Sequence, residues 1–279
     1  MTFLPWTQNK TFCSSSKTMT RVRFTVSYDG TDYCGWQRQY HGPLKSVQHV
    51  LQDAIETLLQ EKITLFASGR TDAGVHARAQ VCHFDTIRPE SAFAKWDFPW
   101  ALKALLPPSI SVKKAWIAPP DFHATISASH KIYRYFIFNS LRRSPFLHRY
   151  ADWVRKPMNL EHLNASSQFL LGKHDFKSFQ TKGTIVVSTV RKIYGAKWDQ
   201  PSPHIFRFTI DGQGFLKQMV RNIVGTQVAL EREGTDPGQI QNIIKALDRK
   251  VAGPSAPPQG LFLWKVYYPK ELDNRCREL

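Results

Sequence analysis

From Arg21 to Tyr28 apolar and polar positions alternate, with Val22, Phe24, Val26 and Tyr28 on one side. A period of two is that of a half-buried strand. The period then changes: Val47, Val50, Leu51, Ala54, Ile55, Leu58 and Leu59 form a stripe at helical spacing behind Ser46, a residue suited to an N-cap. This predicts an amphipathic helix over Ser46–Gln60. Ile63–Ala67 and Gln80–Asp85 read as strands, and Ile110–Ile117 as another. Phe98–Leu106 reads as a helix, with Pro99 in its first turn and Pro107-Pro108 as its stop.

The second half mixes the two periods again. Strands are predicted at Ile132–Asn139, Val187–Trp198, Ile205–Ile210 and Leu261–Tyr267, and helices at Leu160–Leu171, Leu216–Leu230 and Pro237–Asp248. Arg249–Gly260, with Gly253, Pro254, Pro257 and Pro258, reads as a rigid surface loop. The pattern predicts an α+β chain whose sheets meet along a cleft. Its expected parts are an N-terminal extension over residues 1–20, halves over 21–120 and 121–270, and a tail over 271–279.

Composition narrows the partner. The 279 residues are 42% hydrophobic, enough for a sizeable core, and 38 Lys+Arg against 22 Asp+Glu leave a net charge of +16. Such a surplus points to a polyanion, nucleic acid first and an acidic membrane face second. Aromatics interleave with bases, as in Tyr133-Arg134-Tyr135-Phe136, which suits phosphate pairing and base stacking but equally an ordinary packed strand. Cys13, Cys34, Cys82 and Cys276 form no C-x-x-C pair, so neither a disulfide framework nor a zinc site is expected, and a reducing compartment is. No stretch approaches the ~20 apolar residues of a membrane span. The first residues are rich in Ser and Thr without acids, but Pro5 and the lack of amphipathicity argue against a transit peptide, and Met19 is an alternative start.

The chemistry concentrates in Gly69-Arg70-Thr71-Asp72-Ala73-Gly74-Val75-His76-Ala77, inside a polar stretch Ser68–Arg78 expected to be a loop. Its glycines permit tight backbone turns and close approach of a ligand. By itself Asp72 reads equally as a catalytic carboxylate or as an Asp satisfying loop amides. His76 and His83 lack a third ligand at metal-binding spacing and read as polar loop or strand histidines.

The segment resembles the active-site motif of the tRNA pseudouridine synthase A family. Further stretches agree in order: Tyr28-Asp29-Gly30, Gly35-Trp36-Gln37, Phe122-His123-Ala124, Tyr133-Arg134-Tyr135, His174-Asp175-Phe176 with Ser178-Phe179, Met219-Val220-Arg221-Asn222-Ile223-Val224-Gly225, Ala252-Gly253-Pro254 and Gly260-Leu261. The resemblance implies two ferredoxin-like or RRM-like halves, with antiparallel sheets and flanking helices around a central active-site cleft. It implies isomerisation of uridine to pseudouridine at tRNA positions 38, 39 and 40, without cofactor or metal, by a homodimer in the cytoplasm. On the matching positions Asp72 is the essential carboxylate, a nucleophile or a base, and Arg221 its partner. Tyr133 stacks on the uracil or donates a proton, Leu261 lines the pocket, and Arg70 helps extrude the base. For Tyr135, packing is expected instead.

One position departs: Thr125 stands where the family usually has Arg, which removes a contact to RNA unless a neighbour such as Lys131 supplies it. The rival reading is a non-catalytic RNA-binding protein or chaperone on the same fold. Such a protein would not need Asp72, Arg221 and Tyr133 together, and all three are present.

Overall fold

The computed structural model describes residues 19–37, 44–93, 97–183 and 185–279. Residues 1–18, which hold most of the expected extension and Cys13, lie outside the described part.

In the first half, β1 (Thr20–Tyr28) leads to α1 (Val47–Leu59), where the Ser46 side chain accepts from the His49 amide at 3.1 Å. The helix forms where the stripe predicted it, burying Val47, Leu51, Ala54, Ile55 and Leu59. The strand expected over Ile63–Ala67 shrinks to β2 (Phe66–Ala67), because Ile63 and Leu65 fill the core without ladder bonds. The loop expected over Ser68–Arg78 ends earlier, since β3 runs from His76 to Thr86. Ala77 there pairs with Tyr28 on one side and Leu263 on the other. A short α2 (Glu90–Phe93) precedes α3 (Phe98–Lys103), capped by Asp97, and β4 (Ile110–Ala118).

The second half holds β5 (His130–Asn139), β6 (Asp152–Val154), α4 (Leu160–Gln168), β7 (Gly172–Asp175), β8 (Val190–Ser202) and β9 (Ile205–Gly212). It continues with α5 (Met219–Glu233), α6 (Gln239–Ala246) and β10 (Leu261–Tyr267). The last residues, α7 (Lys270–Asp273) and β11 (Arg277–Glu278), return to the first half, where β11 pairs with β4.

All of these strands join one sheet in the order β11-β4-β1-β3-β10-β5-β9-β8-β7, with β2 and β6 beside β3 and β5. The sheet is mainly antiparallel, as expected, but the two halves meet where β10 runs parallel to β3 and antiparallel to β5. That seam positions the site. It brings the residues just before β3, the start of β10 and the middle of β5 side by side.

The expected surface loop before β10 is partly interior. Ala256 and Gly260 are buried, and a β-carbon on Gly260 would meet the Phe136 carbonyl oxygen at 2.7 Å. Among the described residues no helix is long and apolar enough to cross a membrane.

Candidate active site

Residues 68–75 enter β3 under tight control of their backbone. Ser68 donates its amide to the Val81 carbonyl at 2.8 Å, and the Gly69 carbonyl accepts from Gln80 Nε2 at 2.6 Å. The Thr71 carbonyl accepts from the Trp36 amide at 3.0 Å, while its hydroxyl and that of Tyr28 lie 2.8 Å apart. Val75 closes a turn onto the Asp72 carbonyl at 3.1 Å, with Gly74 at φ 75°, where a side chain would be strained. Gly30 permits the closest approach: a β-carbon there would overlap the Val75 carbonyl oxygen at 2.1 Å. Asp72 is therefore presented on a held loop, as a group that must keep a fixed position requires.

Arg221 meets it from the first turn of α5. Its Nη1 donates to Asp72 Oδ2 at 3.2 Å, with the arginine side chain 12% exposed and the aspartate 25%. The guanidinium is fixed in turn, since Nε donates to the Ala256 carbonyl at 2.8 Å and the Ala256 amide returns a bond to the Arg221 carbonyl at 3.0 Å. The loop before β10 thus reaches the site through Ala256. A part-buried cation beside a part-buried carboxylate offsets the cost of desolvating either alone.

Tyr133 on β5 is 8% exposed, and burial together with the nearby Asp72 charge raises its phenol well above the ordinary range. It stays protonated, a hydrogen-bond donor rather than a base, and its ring packs edge-on to Phe215 with centroids 5.0 Å apart. Tyr135, on the same face, is fully buried and donates its hydroxyl to the Pro257 carbonyl at 2.8 Å. Packing is its role, with the added effect of holding the loop that carries Ala256.

Asp72, Tyr133, Arg70 and Leu261 all line one cavity of about 1020 Å³, while Arg221 backs Asp72 from behind its wall. Arg70 is exposed and Leu261 is buried opposite Tyr135. The structure therefore gathers all five residues singled out from the sequence. It adds several that were not, among them Phe215, Lys217 and Gln218, which sits at φ 59° just before α5. Thr125 is on the cavity wall too, its hydroxyl donating to the Ala67 carbonyl at 2.5 Å.

The two histidines have backbone partners. His76 Nδ1 accepts from the Gly30 amide at 3.1 Å, and its Nε2 lies 2.8 Å from the Arg149 carbonyl; burial lowers its pKa. His83 Nδ1 accepts from the Ala124 amide at 3.2 Å, and burial pushes it down to about 4. Among the described residues no cluster of three His, Cys, Asp or Glu is arranged to hold a metal.

A family model described as tRNA pseudouridine synthase matches residues 24–125 and 167–269, which take in Arg70, Asp72, Arg221 and Leu261. The chain belongs to the tRNA pseudouridine synthase family. Membership makes it an isomerase that forms pseudouridine. Its relatives agree over nearly their whole length. The tRNA pseudouridine synthase A of Bdellovibrio bacteriovorus is 62% identical over 260 residues, covering 93% of this chain and 99% of that one. That of Ruminiclostridium cellulolyticum is 40% identical over 250 residues, covering 90% and 100%. That of Lactococcus lactis subsp. cremoris is 38% identical over 255 residues, covering 90% and 98%. Thr125, where the motif resemblance led an arginine to be expected, turns its hydroxyl to the backbone of the site.

Proposed function

We propose that this member of the family converts uridine to pseudouridine at positions 38, 39 and 40 in the anticodon stem and loop of tRNA, with Asp72 as the reacting carboxylate. The Asp72–Arg221 pair at the wall of a nucleotide-sized cavity carries this reading. Asp72 either attacks the ribose C1′ or removes the C2′ proton. In both routes the C1′–N1 electron pair leaves with the uracil ring. The ring then turns and C5 bonds to C1′, as the Asp72–C1′ ester bond breaks in the first route or as Asp72 returns the proton to C2′ in the second. C5 gives up its proton and N1 gains one, so nothing is oxidised or reduced.

Arg221 pairs with Asp72 and keeps it aimed. Tyr133 offers a ring for the uracil and a protonated hydroxyl for hydrogen bonding or proton transfer. Leu261 supplies an apolar wall, and Arg70 fills the stack left by the extruded base, helping to offset an unstacking cost of a few kcal/mol. The surplus of +16 suits folded tRNA recognised by shape and backbone. The family resemblance supports a homodimer as its working state, and the free thiols of Cys34, Cys82 and Cys276 among the described residues suit the cytoplasm.

The test is pseudouridine mapping on an unmodified tRNA transcript carrying uridine at the three positions, with a chelator present. Wild-type protein should modify them and the Asp72→Ala variant should not. If neither protein modifies the transcript although both bind it, the non-catalytic RNA-binding reading takes over.

A further inference from the structure

The cavity contains a cation that the Asp72–Arg221 pair leaves without a role. Lys131, two positions before Tyr133 on β5, donates from its ammonium to the Ser68 carbonyl, at the foot of the loop that carries Asp72. A β-carbon added to Gly69 would lie 3.3 Å from that nitrogen, so the loop wraps it closely. Lys131 also lines the cavity, beside Ser68, Gly69, Thr125 and Tyr133. Burial alone brings its amine down to about 8, and among the described residues it belongs to no ion pair.

Pinning the loop does not account for it. Thr125 holds the Ala67 carbonyl at 2.5 Å and Gln80 holds that of Gly69 at 2.6 Å, both with neutral donors. A neutral side chain would hold Ser68 equally well, without the desolvation cost of a charge. An ammonium has three N–H donors and the carbonyl occupies one. The charged groups that share the cavity are Asp72 and Arg70 on the loop and Lys217 before α5. Asp72 is already matched by Arg221. Lys131 thus brings positive charge and two spare donors to a site whose own carboxylate is taken. An unmatched, part-buried charge in a cleft marks a place for a ligand of opposite sign.

We propose that Lys131 meets an anionic oxygen of the bound nucleotide, an inference that rests on the cavity being the uridine-isomerising site. Two oxygens have this chemistry. One is a uracil carbonyl, which takes up negative charge once the C1′–N1 electron pair has left with the ring; the ammonium donates a hydrogen bond there and keeps its proton. The other is a phosphate oxygen of the extruded nucleotide. In the first case Lys131 acts on the chemical step, and in the second on binding.

Two variants separate these. Lys131→Gln keeps a donor for Ser68 and removes the charge, while Lys131→Arg keeps the charge. Single-turnover pseudouridine formation at saturating protein, and tRNA affinity across a salt series, are measured for both and for wild type. A uracil contact lowers the Gln variant's rate by at least about 100-fold with affinity unchanged, and the Arg variant recovers part of the loss. A phosphate contact weakens affinity and makes the salt dependence shallower by about one charge, with the saturated rate kept. If the Gln variant matches wild type in both, or if Gln and Arg lose equally, the proposal is overturned. A wild type that binds tRNA but forms no product would sink the functional reading instead. The salt series would then still decide whether Lys131 faces a phosphate.

Discussion

Arg221 reaches Asp72 across the seam of the sheet, Nη1 to Oδ2 at 3.2 Å, although 149 positions separate them along the chain. The arginine is itself tied to Ala256 in both directions, so it acts as a fixed post against which the Asp72 loop is set. Asp72→Asn preserves the shape and removes the charge. It is expected to abolish turnover, by at least about 1000-fold, while sparing tRNA affinity. Single-turnover assays and filter binding read the two quantities separately, and an equal loss of both would sink the catalytic assignment.

Arg221→Lys tests the post. Lysine retains the charge but lacks the planar fork that serves Asp72 and Ala256 together. The rate should fall by about 10- to 100-fold with little change in affinity. A variant as active as wild type would show that charge near Asp72 suffices and its placement does not.

Tyr133→Phe keeps the ring and deletes the hydroxyl, which burial and Asp72 hold protonated. If the hydroxyl donates in the reaction, turnover drops by about 100-fold or more, and affinity, carried by stacking, stays near wild type. The opposite split, weaker binding with normal saturated turnover, would place the hydroxyl in tRNA binding and remove it from the chemical step.

Gly225 lies in the interior of α5, where alanine ordinarily improves helix stability by about 1 kcal/mol. Here the sign reverses. An added β-carbon would sit 1.9 Å from the Pro254 carbonyl oxygen, a backbone atom that cannot turn aside. Gly225→Ala should cost roughly 1–3 kcal/mol in urea unfolding, and should lower turnover as well. The displaced strand of loop carries Ala256, the partner of Arg221. A stabilised, fully active variant would refute the close approach.

Much of this was legible in the sequence, for identifiable reasons. Ser46–Gln60 was readable because its stripe and its cap agree, and both are local. Lys131 shares a face with Tyr133 by strand alternation, a signal present in the sequence though without a stated role beyond replacing the arginine missing at Thr125. Asp72 and Arg221 were named through motif resemblance; periodicity alone would have sent Arg221 to the surface of an apolar helix. The rest depends on pairing between distant strands. His76 and Ala77 extend β3 because β10 lies alongside, which no local pattern announces. Arg23 shows the same limit. It alternates onto the polar side of β1, yet is buried under the rings of Trp116, Phe122 and Tyr268, from three separate parts of the chain.

His83 gives a prediction for stability against pH. It is 1% exposed, its Nδ1 accepts from the Ala124 amide, and protonation would set one N–H against another. Burial first, then the charges of Arg21 and His123, push it from 6.5 to about 4. The unfolded chain, with an ordinary imidazole, takes up a proton below ~6.5, whereas the folded chain does so only near 4. Between these values the unfolded state binds more protons. Stability is therefore complete above ~6.5 and is lost as pH falls toward 4, by up to roughly 3 kcal/mol. His83→Asn leaves an acceptor for Ala124 and no titrating ring, so its urea midpoint should decline less over this range. Carboxylates held low by partners other than His83, such as Glu56 beside Lys62, weaken at low pH in both proteins and cancel in the comparison. Parallel declines in variant and wild type would show that another group carries the acid sensitivity.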